Sequence, residues 1–346
     1  MGAGQQIKFM SQDRVTSIDV AKEAGVSQSA VSRVFSQTGS ASQKTIEKVQ
    51  KAADKLGYRP NILARSLITG KSRIIGLLVA YLENYFYPEA VEILSRQLQK
   101  QGYHVLIFLA SSKDGNLDTI VQELLDYQVD GIITASVSMS SDLTKSCQSA
   151  GIPVVMFNRI DDNKIAHSVT ADNFQGGYEA ARYFIETGHQ KISYIAGWEG
   201  ASTQRDREAG FVKALSESTI KLHSRAIGDY DQDKAKQAAR QLCDTDDRPD
   251  AIFVANDHMA FAVMDVIRFE LGLSIPDDIA IIGFDDVPPA AWPAYNLTTL
   301  RQPANQMVDA TINTLISQIE DPQSDRNTFI LPSPLIIRAT TRPRKK

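Results

Sequence analysis

From Ile74 onward the chain alternates between two textures, and that alternation limits the fold more tightly than any other feature of its 346 residues. The segments Ile74–Val79, His104–Leu109, Gly131–Ala135, Pro153–Phe157, Ile192–Ala196, Ala251–Ala255 and Ile279–Gly283 are apolar and β-type. Each is followed by an amphipathic stretch of helical length, such as Pro88–Gln101 or Asn173–Thr187. Buried strands separated by helices mean parallel sheets with crossover helices. At least seven such units spread over about 270 residues are more than one open sheet holds comfortably, so the pattern predicts two α/β lobes.

The N-terminal part has a different rhythm. Three short helical patterns lie between Val15 and Gly57. Thr16 and Asp19 have the spacing of a capping box, which opens a helix running to about Ala24. Gly25 closes it, where a positive φ is often needed. Ser27 is a good N-cap for a second helix, Gln28 to about Gln37, and Ser42 caps a third. The apolar residues Ile46, Val49, Ala53 and Leu56 of the third helix fall on one face. Gly57 stops that helix and Pro60 blocks its continuation. Residues 1–13 are polar and aperiodic, which predicts a disordered tail.

Two helices joined by a tight turn need a small residue where they touch, a glycine in the turn and apolar residues behind the second helix. Ala21, Gly25 and the set Val26, Val31 and Val34 meet these needs, as in a helix-turn-helix. The second helix of such a motif sets its leading side chains against base edges in the major groove. Here those are Gln28, Ser29 and, one turn on, Arg33. Gln bonds adenine bidentately and Arg does the same to guanine. Thr16, Ser27, Ser32 and Thr45 offer hydroxyls to phosphates. The alternative, a small three-helix bundle with a solvated polar face, is disfavoured by the distribution of charge. The formal net charge is −4, yet residues 1–75 carry 12 Lys and Arg against 5 Asp and Glu. The remaining residues carry 25 against 36, so a basic module of +7 precedes an acidic body of −11. That asymmetry points to a module that meets a polyanion.

The next segment, Tyr58-Arg-Pro-Asn-Ile-Leu-Ala-Arg-Ser-Leu67, begins a helix pattern at Asn61 that is too short to be stable alone in water. Leu67 beside Arg65 suits a wedge inserted between base steps in the minor groove, and equally suits a linker with one stray leucine.

Other functions find little support. No apolar run approaches the roughly 20 residues of a membrane helix, and residues 1–14 lack the apolar stretch of a signal peptide, so a cytoplasmic protein is expected. Cys147 and Cys243 lie far apart without ligand-spaced neighbours, and His104, His167, His189, His223 and His258 are scattered. No metal site or disulfide framework is therefore expected. Nucleophile-elbow, phosphate-loop and dinucleotide-binding motifs are absent from the sequence, so neither catalysis nor a cofactor is expected.

The run Val15-Thr-Ser-Ile-Asp-Val-Ala-Lys-Glu-Ala-Gly-Val-Ser-Gln-Ser-Ala-Val-Ser-Arg-Val34, with Leu56-Gly-Tyr-Arg-Pro-Asn-Ile-Leu-Ala-Arg-Ser-Leu67, closely resembles the lactose-repressor (LacI/GalR) family of bacterial transcription regulators. The resemblance extends from about Val15 to Arg342. It implies an α/β protein with a helix-turn-helix headpiece (14–60), a hinge helix (61–72) and a two-lobed, periplasmic-binding-protein-like core of parallel sheets (73–346). Lobe 1 is expected at about 73–186 and 301–328, and lobe 2 at about 187–300 and 329–342. The resemblance further implies a homodimer on an inverted-repeat DNA operator, controlled by a small effector in the cleft.

Position by position, the resemblance makes Gln28, Ser29 and Arg33 base readers. Leu67 becomes an intercalating hinge residue and Ala64 the small residue where two hinge helices touch. In the core, Arg207 matches an effector clamp, and Asn256 and Asp285 match polar groups that bind ligand hydroxyls. Asp172 matches an acid at the cleft hinge, Tyr230 a stacking aromatic, and Phe86 and Tyr87 its counterpart on the other lobe; Thr203 completes the set. Ala30 and Ser36 depart from the family's usual threonine and asparagine, and Ala80–Tyr87 lacks its usual Pro-Asp. Asn256 and Asp285 each follow an apolar β-run, where open α/β folds bind ligands. Taken alone, Asp285 or Asp172 could cap a helix, Arg207 could be solvated and Tyr230 could belong to the core. Carboxylate, amide and guanidinium groups with aromatic faces suit a carbohydrate effector. The alternatives are a purine-responsive regulator and a sugar-binding receptor without regulatory role.

If Arg33 reads a base, Arg33→Ala should cost about 1–3 kcal/mol in operator binding and relax preference at one base pair per half-site. Equal weakening on every sequence, measured on an operator library, would contradict base reading.

Overall fold

The computed structural model describes residues 15–35, 41–59, 71–110, 117–137, 139–321 and 327–344. The expected tail at 1–13, Ser36, and the hinge residues Asn61, Ala64, Arg65 and Leu67 lie outside them. The chain divides into two compact units, residues 1–72 and 73–346.

In the first unit, α1 (Ser17–Ala24), α2 (Gln28–Phe35) and α3 (Gln43–Leu56) follow the expected punctuation. Thr16 and Asp19 form the reciprocal capping box, with the Thr16 N–H donating to Asp19 Oδ2 at 2.8 Å. Gly25 and Gly57 both sit at φ 65° in the left-handed region and close α1 and α3. The backbone of Ala30 donates to Ser27 Oγ, and that of Thr45 to Ser42 Oγ. Val20, Ala21, Val31, Val49, Ala52 and Ala53 form the buried centre, with Val26, Val34 and Leu56 packed around it.

The second unit contains two six-stranded sheets among the described residues. The first comprises β1 (Ile74–Val79), β2 (His104–Leu109), β3 (Gly131–Ala135), β4 (Val154–Phe157), β5 (His167–Ala171) and β11 (Thr328–Leu331). The second comprises β6 (Ile192–Ala196), β7 (Arg225–Ile227), β8 (Ala251–Val254), β9 (Ala280–Asp285), β10 (Thr298–Arg301) and β12 (Leu335–Ile336). Their orders, β11-β5-β4-β3-β1-β2 and β12-β10-β9-β8-β6-β7, are the same pattern twice. All pairings are parallel except β10 with β12. In this order the first strand has neighbours reached by crossovers in opposite directions. Each sheet therefore opens a crevice beyond the carboxyl ends of its central strands.

Helices α4 (Phe86–Lys100), α5 (Leu117–Asp126), α6 (Ser141–Ser149) and α11 (Ala304–Glu320) serve the first sheet. Helices α7 (Asn173–Glu186), α8 (Ser202–Ser216), α9 (Gln232–Cys243) and α10 (Asp257–Asp265) serve the second. The chain changes lobe between β5 and α7, between β10 and α11, and between β11 and β12. Residues 173–186 and 329–331 thus lie on the opposite lobes from the sequence-based division. Asp172 ends a strand and caps the helix of the other lobe, so the change falls at the strand end rather than after α7.

Helices α7 and α8 approach at backbone distance. A Cβ at Gly177 would overlap the carbonyl oxygen of Arg207, and one at Gly210 would overlap that of Phe174. Gly210→Ala should therefore destabilise the fold by about 1–3 kcal/mol, although alanine favours a helix by about 1 kcal/mol. A urea midpoint at or above that of the parent would show that the helices have room to separate.

Candidate functional site

The exposed face of α2 carries Gln28, Ser29, Ser32 and Arg33, opposite the buried Val31. Positions 28 and 32, and 29 and 33, are each one turn apart, so the four form one patch. Gln28 Nε2 donates to Ser17 Oγ at 3.1 Å, and Arg33 Nε approaches the Ser29 carbonyl at 3.4 Å. Ser27 and Ser29 share a hydroxyl bond of 2.9 Å. Thr16 bonds Asp19 and Thr45 bonds Ser42, so both hydroxyls also serve their own helix ends. Arg65 and Leu67 lie outside the described residues.

The second site is the cleft where the carboxyl ends of the two sheets face each other. It is partly open to solvent, and the free space between its walls is small. Of the residues expected to bind an effector, Tyr87, Thr203, Arg207, Tyr230, Asn256 and Asp285 line it, and Phe86 and Asp172 do not. Phe86 is buried and stacks on Phe157 at 6.0 Å between ring centres. Asp172 caps α7, its Oδ1 accepting from the Gln175 N–H at 2.9 Å.

Arg207 is held on every side. Its Nε donates to Asn173 Oδ1 at 2.8 Å and Nη1 to the Ala255 carbonyl at 2.5 Å. Its Nη2 lies 3.6 Å from Asp285 Oδ1, and its guanidinium covers the Phe284 ring at 3.5 Å. Asp285, at φ 120°, accepts from Gln302 Nε2 at 2.6 Å and from Asn84 Nδ2 of the facing lobe at 3.1 Å. Burial raises the Asp285 carboxyl above its ordinary range, and Arg207 opposes that rise. Asp257, directly behind, is fully buried and pushed well above the carboxylate range by desolvation and by Asp285. It accepts from Thr299 Oγ1 and the Val287 N–H.

Asn256 caps α10 through Oδ1, which leaves its amide as the group it can offer. Tyr230, in the left-handed region at φ 56°, meets Tyr81 edge-on at 6.2 Å and places its hydroxyl 3.3 Å from Thr203 Oγ1. Its ring fits only because position 197 is glycine, where a Cβ would overlap it. The lobes also touch directly: the Ile160 N–H donates to Ser202 Oγ, and Arg205 forms a two-bond fork with Asp162.

Sequence reasoning missed Tyr81, Glu83, Asn84, Ser136, Asn158, Arg159 and His258, which also line the cleft. Ser136 follows β3 directly and Asn158 and Arg159 follow β4. The rule that singled out Asn256 and Asp285, a polar group after an apolar run, reaches all three.

A helix-turn-helix unit joined to a two-lobed, ligand-binding core defines a ligand-controlled DNA-binding regulator. Residues 17–61 match the model of bacterial regulatory proteins of the lacI family, and residues 181–341 match that of a periplasmic binding protein-like domain. The HTH-type transcriptional repressor PurR of Vibrio vulnificus is 33% identical over 331 residues, covering 94% of this chain and 98% of the relative. The lac repressor dimer bound to operator and the anti-inducer ONPF superposes with a TM-score of 0.85 at 29% identity, covering 95% and 99% of the two chains. A CelR–cellobiose complex superposes at 0.71 with 27% identity, covering 94% and 100%. This chain belongs to the lacI family of bacterial regulatory proteins. It is an effector-controlled transcriptional regulator rather than an enzyme. No helix among the described residues is long and apolar enough to cross a membrane.

Removing Arg207 leaves the buried Asp285 without its cation and raises its folded-state pKa further. A raised folded pKa gives stability that is present at low pH and lost as pH rises. Arg207→Ala should cost about 3–5 kcal/mol at about pH 8 and less at about pH 5. Denaturation at the two pH values checks this, and an equal penalty at both would contradict the pairing.

Proposed function

We propose that the protein is a repressor that binds an inverted-repeat operator as a homodimer and responds to a sugar or sugar derivative in the cleft. The observation that carries the ligand class is the convergence of Arg207, Asp285, Asn256 and Asn84 beside the faces of Tyr81 and Tyr230. Fixed donors and acceptors flanked by aromatic faces suit a body bearing several hydroxyl groups. The structural neighbour solved with cellobiose supports the same class.

The homodimer rests on exposed apolar side chains at equivalent sheet edges. Ile107 and Leu109 on β2 are 49% and 61% exposed, and Ile227 on β7 is 46% exposed. These strands end the two sheets at corresponding positions. Apolar edges of this kind favour a partner surface. The lac repressor neighbour is itself a dimer on operator.

The proposed reader is the α2 patch, with Gln28, Ser29 and Arg33 at base edges and Thr16, Ser27, Ser32 and Thr45 near phosphates. Arg65 and Leu67 are proposed to act at the centre of the operator. The effector acts by linkage: it alters operator affinity by the factor by which operator alters effector affinity.

Two measurements test this reading. Operator affinity should fall by orders of magnitude between about 50 and about 200 mM salt through counterion release, and a flat dependence would contradict it. In a thermal-shift screen of sugars, sugar acids and nucleobases, a sugar compound should raise the melting temperature by mass action. A shift by nucleobases alone would replace the sugar reading with a purine one.

A further inference from the structure

The two guanidinium groups of the cleft differ in one respect. Arg207 has a carboxylate beside it. Arg159 is 1% exposed and forms no ion pair among the described residues. Its Nη1 donates to the Asn158 carbonyl at 2.7 Å and to Thr203 Oγ1 at 3.2 Å, and its Nη2 to Ser136 Oγ at 2.9 Å. All three acceptors are neutral. Its Nε has no hydrogen-bond partner, and neither has the adjacent Asn158 Oδ1. A buried guanidinium bonded only to neutral oxygens is a costly arrangement unless an anion completes it.

The acids nearby are otherwise engaged. Asp161, two residues on, accepts from the backbone N–H groups of Asn163, Ile165 and Ala166. Asp285 pairs with Arg207, and Asp257 accepts from Thr299 Oγ1 and the Val287 N–H. Glu83 lines the cleft from an exposed position, and burial holds His258 toward its neutral form. Among the buried lining residues, two guanidinium groups thus stand against the single carboxylate of Asp285.

A second feature adds to it. Helix α8 begins beside Arg159, whose Nη1 reaches the hydroxyl of Thr203 in its first turn. The cap residue is Ala201, which has no side-chain acceptor for the first-turn N–H groups. Ala201, Ser202, Thr203 and Gln204 are all buried. An uncapped, buried helix N-terminus of 15 residues presents partial positive charge where the unpaired guanidinium lies.

We propose that the effector carries an anionic group, a carboxylate or phosphate on a polyhydroxylated body, and that Arg159 and the N-terminus of α8 receive it. This rests on the reading of the cleft as a sugar-class effector site and narrows it to sugar acids or sugar phosphates. Arg159 binds the charged end, and Arg207, Asn256 and Asp285 bind the hydroxyl end. The single guanidinium fits either oxyanion, so the source of the charge is an outcome of the test.

The test is calorimetric titration of the full-length dimer with glucose, galactose, mannose and ribose, their aldonates and uronates, and their terminal phosphates. At least one charged member should bind about tenfold or more tightly than its neutral parent. Arg159→Met should bring the two within about twofold of each other, and Arg159→Lys should keep part of the preference. The melting temperature of the unliganded Arg159→Met protein should not fall, because an uncompensated buried charge has been removed. Preference for aldonates and uronates assigns a carboxylate, and preference for terminal phosphates a phosphate. A neutral sugar that binds as tightly as its charged derivatives, with Arg159→Met weakening both alike, overturns this proposal and leaves the sugar reading standing. A panel in which nothing binds overturns both.

Discussion

The contact on which the rest of the core depends is the backbone approach of α7 to α8 at Gly177 and Gly210. Helix α7 begins where the chain leaves the first sheet, and α8 carries the cleft residues Thr203 and Arg207. Because a carbonyl of each helix lies where a Cβ of the other would be, the two act as one rigid body. That fixes Asn173, at the first position of α7, under Arg207. Asn173 itself is oriented by Thr170 Oγ1 and the Ala171 carbonyl, so the guanidinium is aimed through a chain of bonds that starts in β5 of the other lobe. The glycine pair thus determines where the Arg207 side chain stands.

Charge organises the molecule at two scales. Across the chain, a basic N-terminal module precedes an acidic body, and the negative charge of the body disfavours its contact with phosphates. Within the cleft the sign reverses locally. Among its buried lining residues, Arg159 and Arg207 stand against the single carboxylate of Asp285, which pairs with Arg207.

How much of this was legible in the sequence depended on where each polar group finds its partner. Strands β1, β3, β4, β6, β8 and β9 read clearly because they are nearly unbroken apolar runs. Strand β10, Thr298-Thr-Leu-Arg301, did not, because its buried threonines bond to groups distant in sequence: Thr298 to Thr341 and the Arg338 N–H, Thr299 to Asp257. Strand β5, with His167, Ser168 and Thr170 buried, hides for the same reason. The headpiece was legible down to its caps, since capping is local and involves residues three apart. Thr203, Arg207, Asn256 and Asp285 followed from strand ends and from family resemblance, whereas Asn84, Ser136 and Asn158 did not. Arg159 was not singled out, because what distinguishes it is the absence of a carboxylate in three dimensions, and no spacing records that.

One chain joins a DNA-binding module to an effector-binding core, and effector control requires the two to be energetically coupled. The direct measurement is a closed thermodynamic cycle on the full-length protein. Operator affinity is measured with and without a saturating amount of the compound that most raises the melting temperature, and the affinity for that compound with and without operator. Both affinities should change, and by the same factor, of about 5- to 150-fold. Operator affinity unchanged at saturating ligand would contradict that coupling.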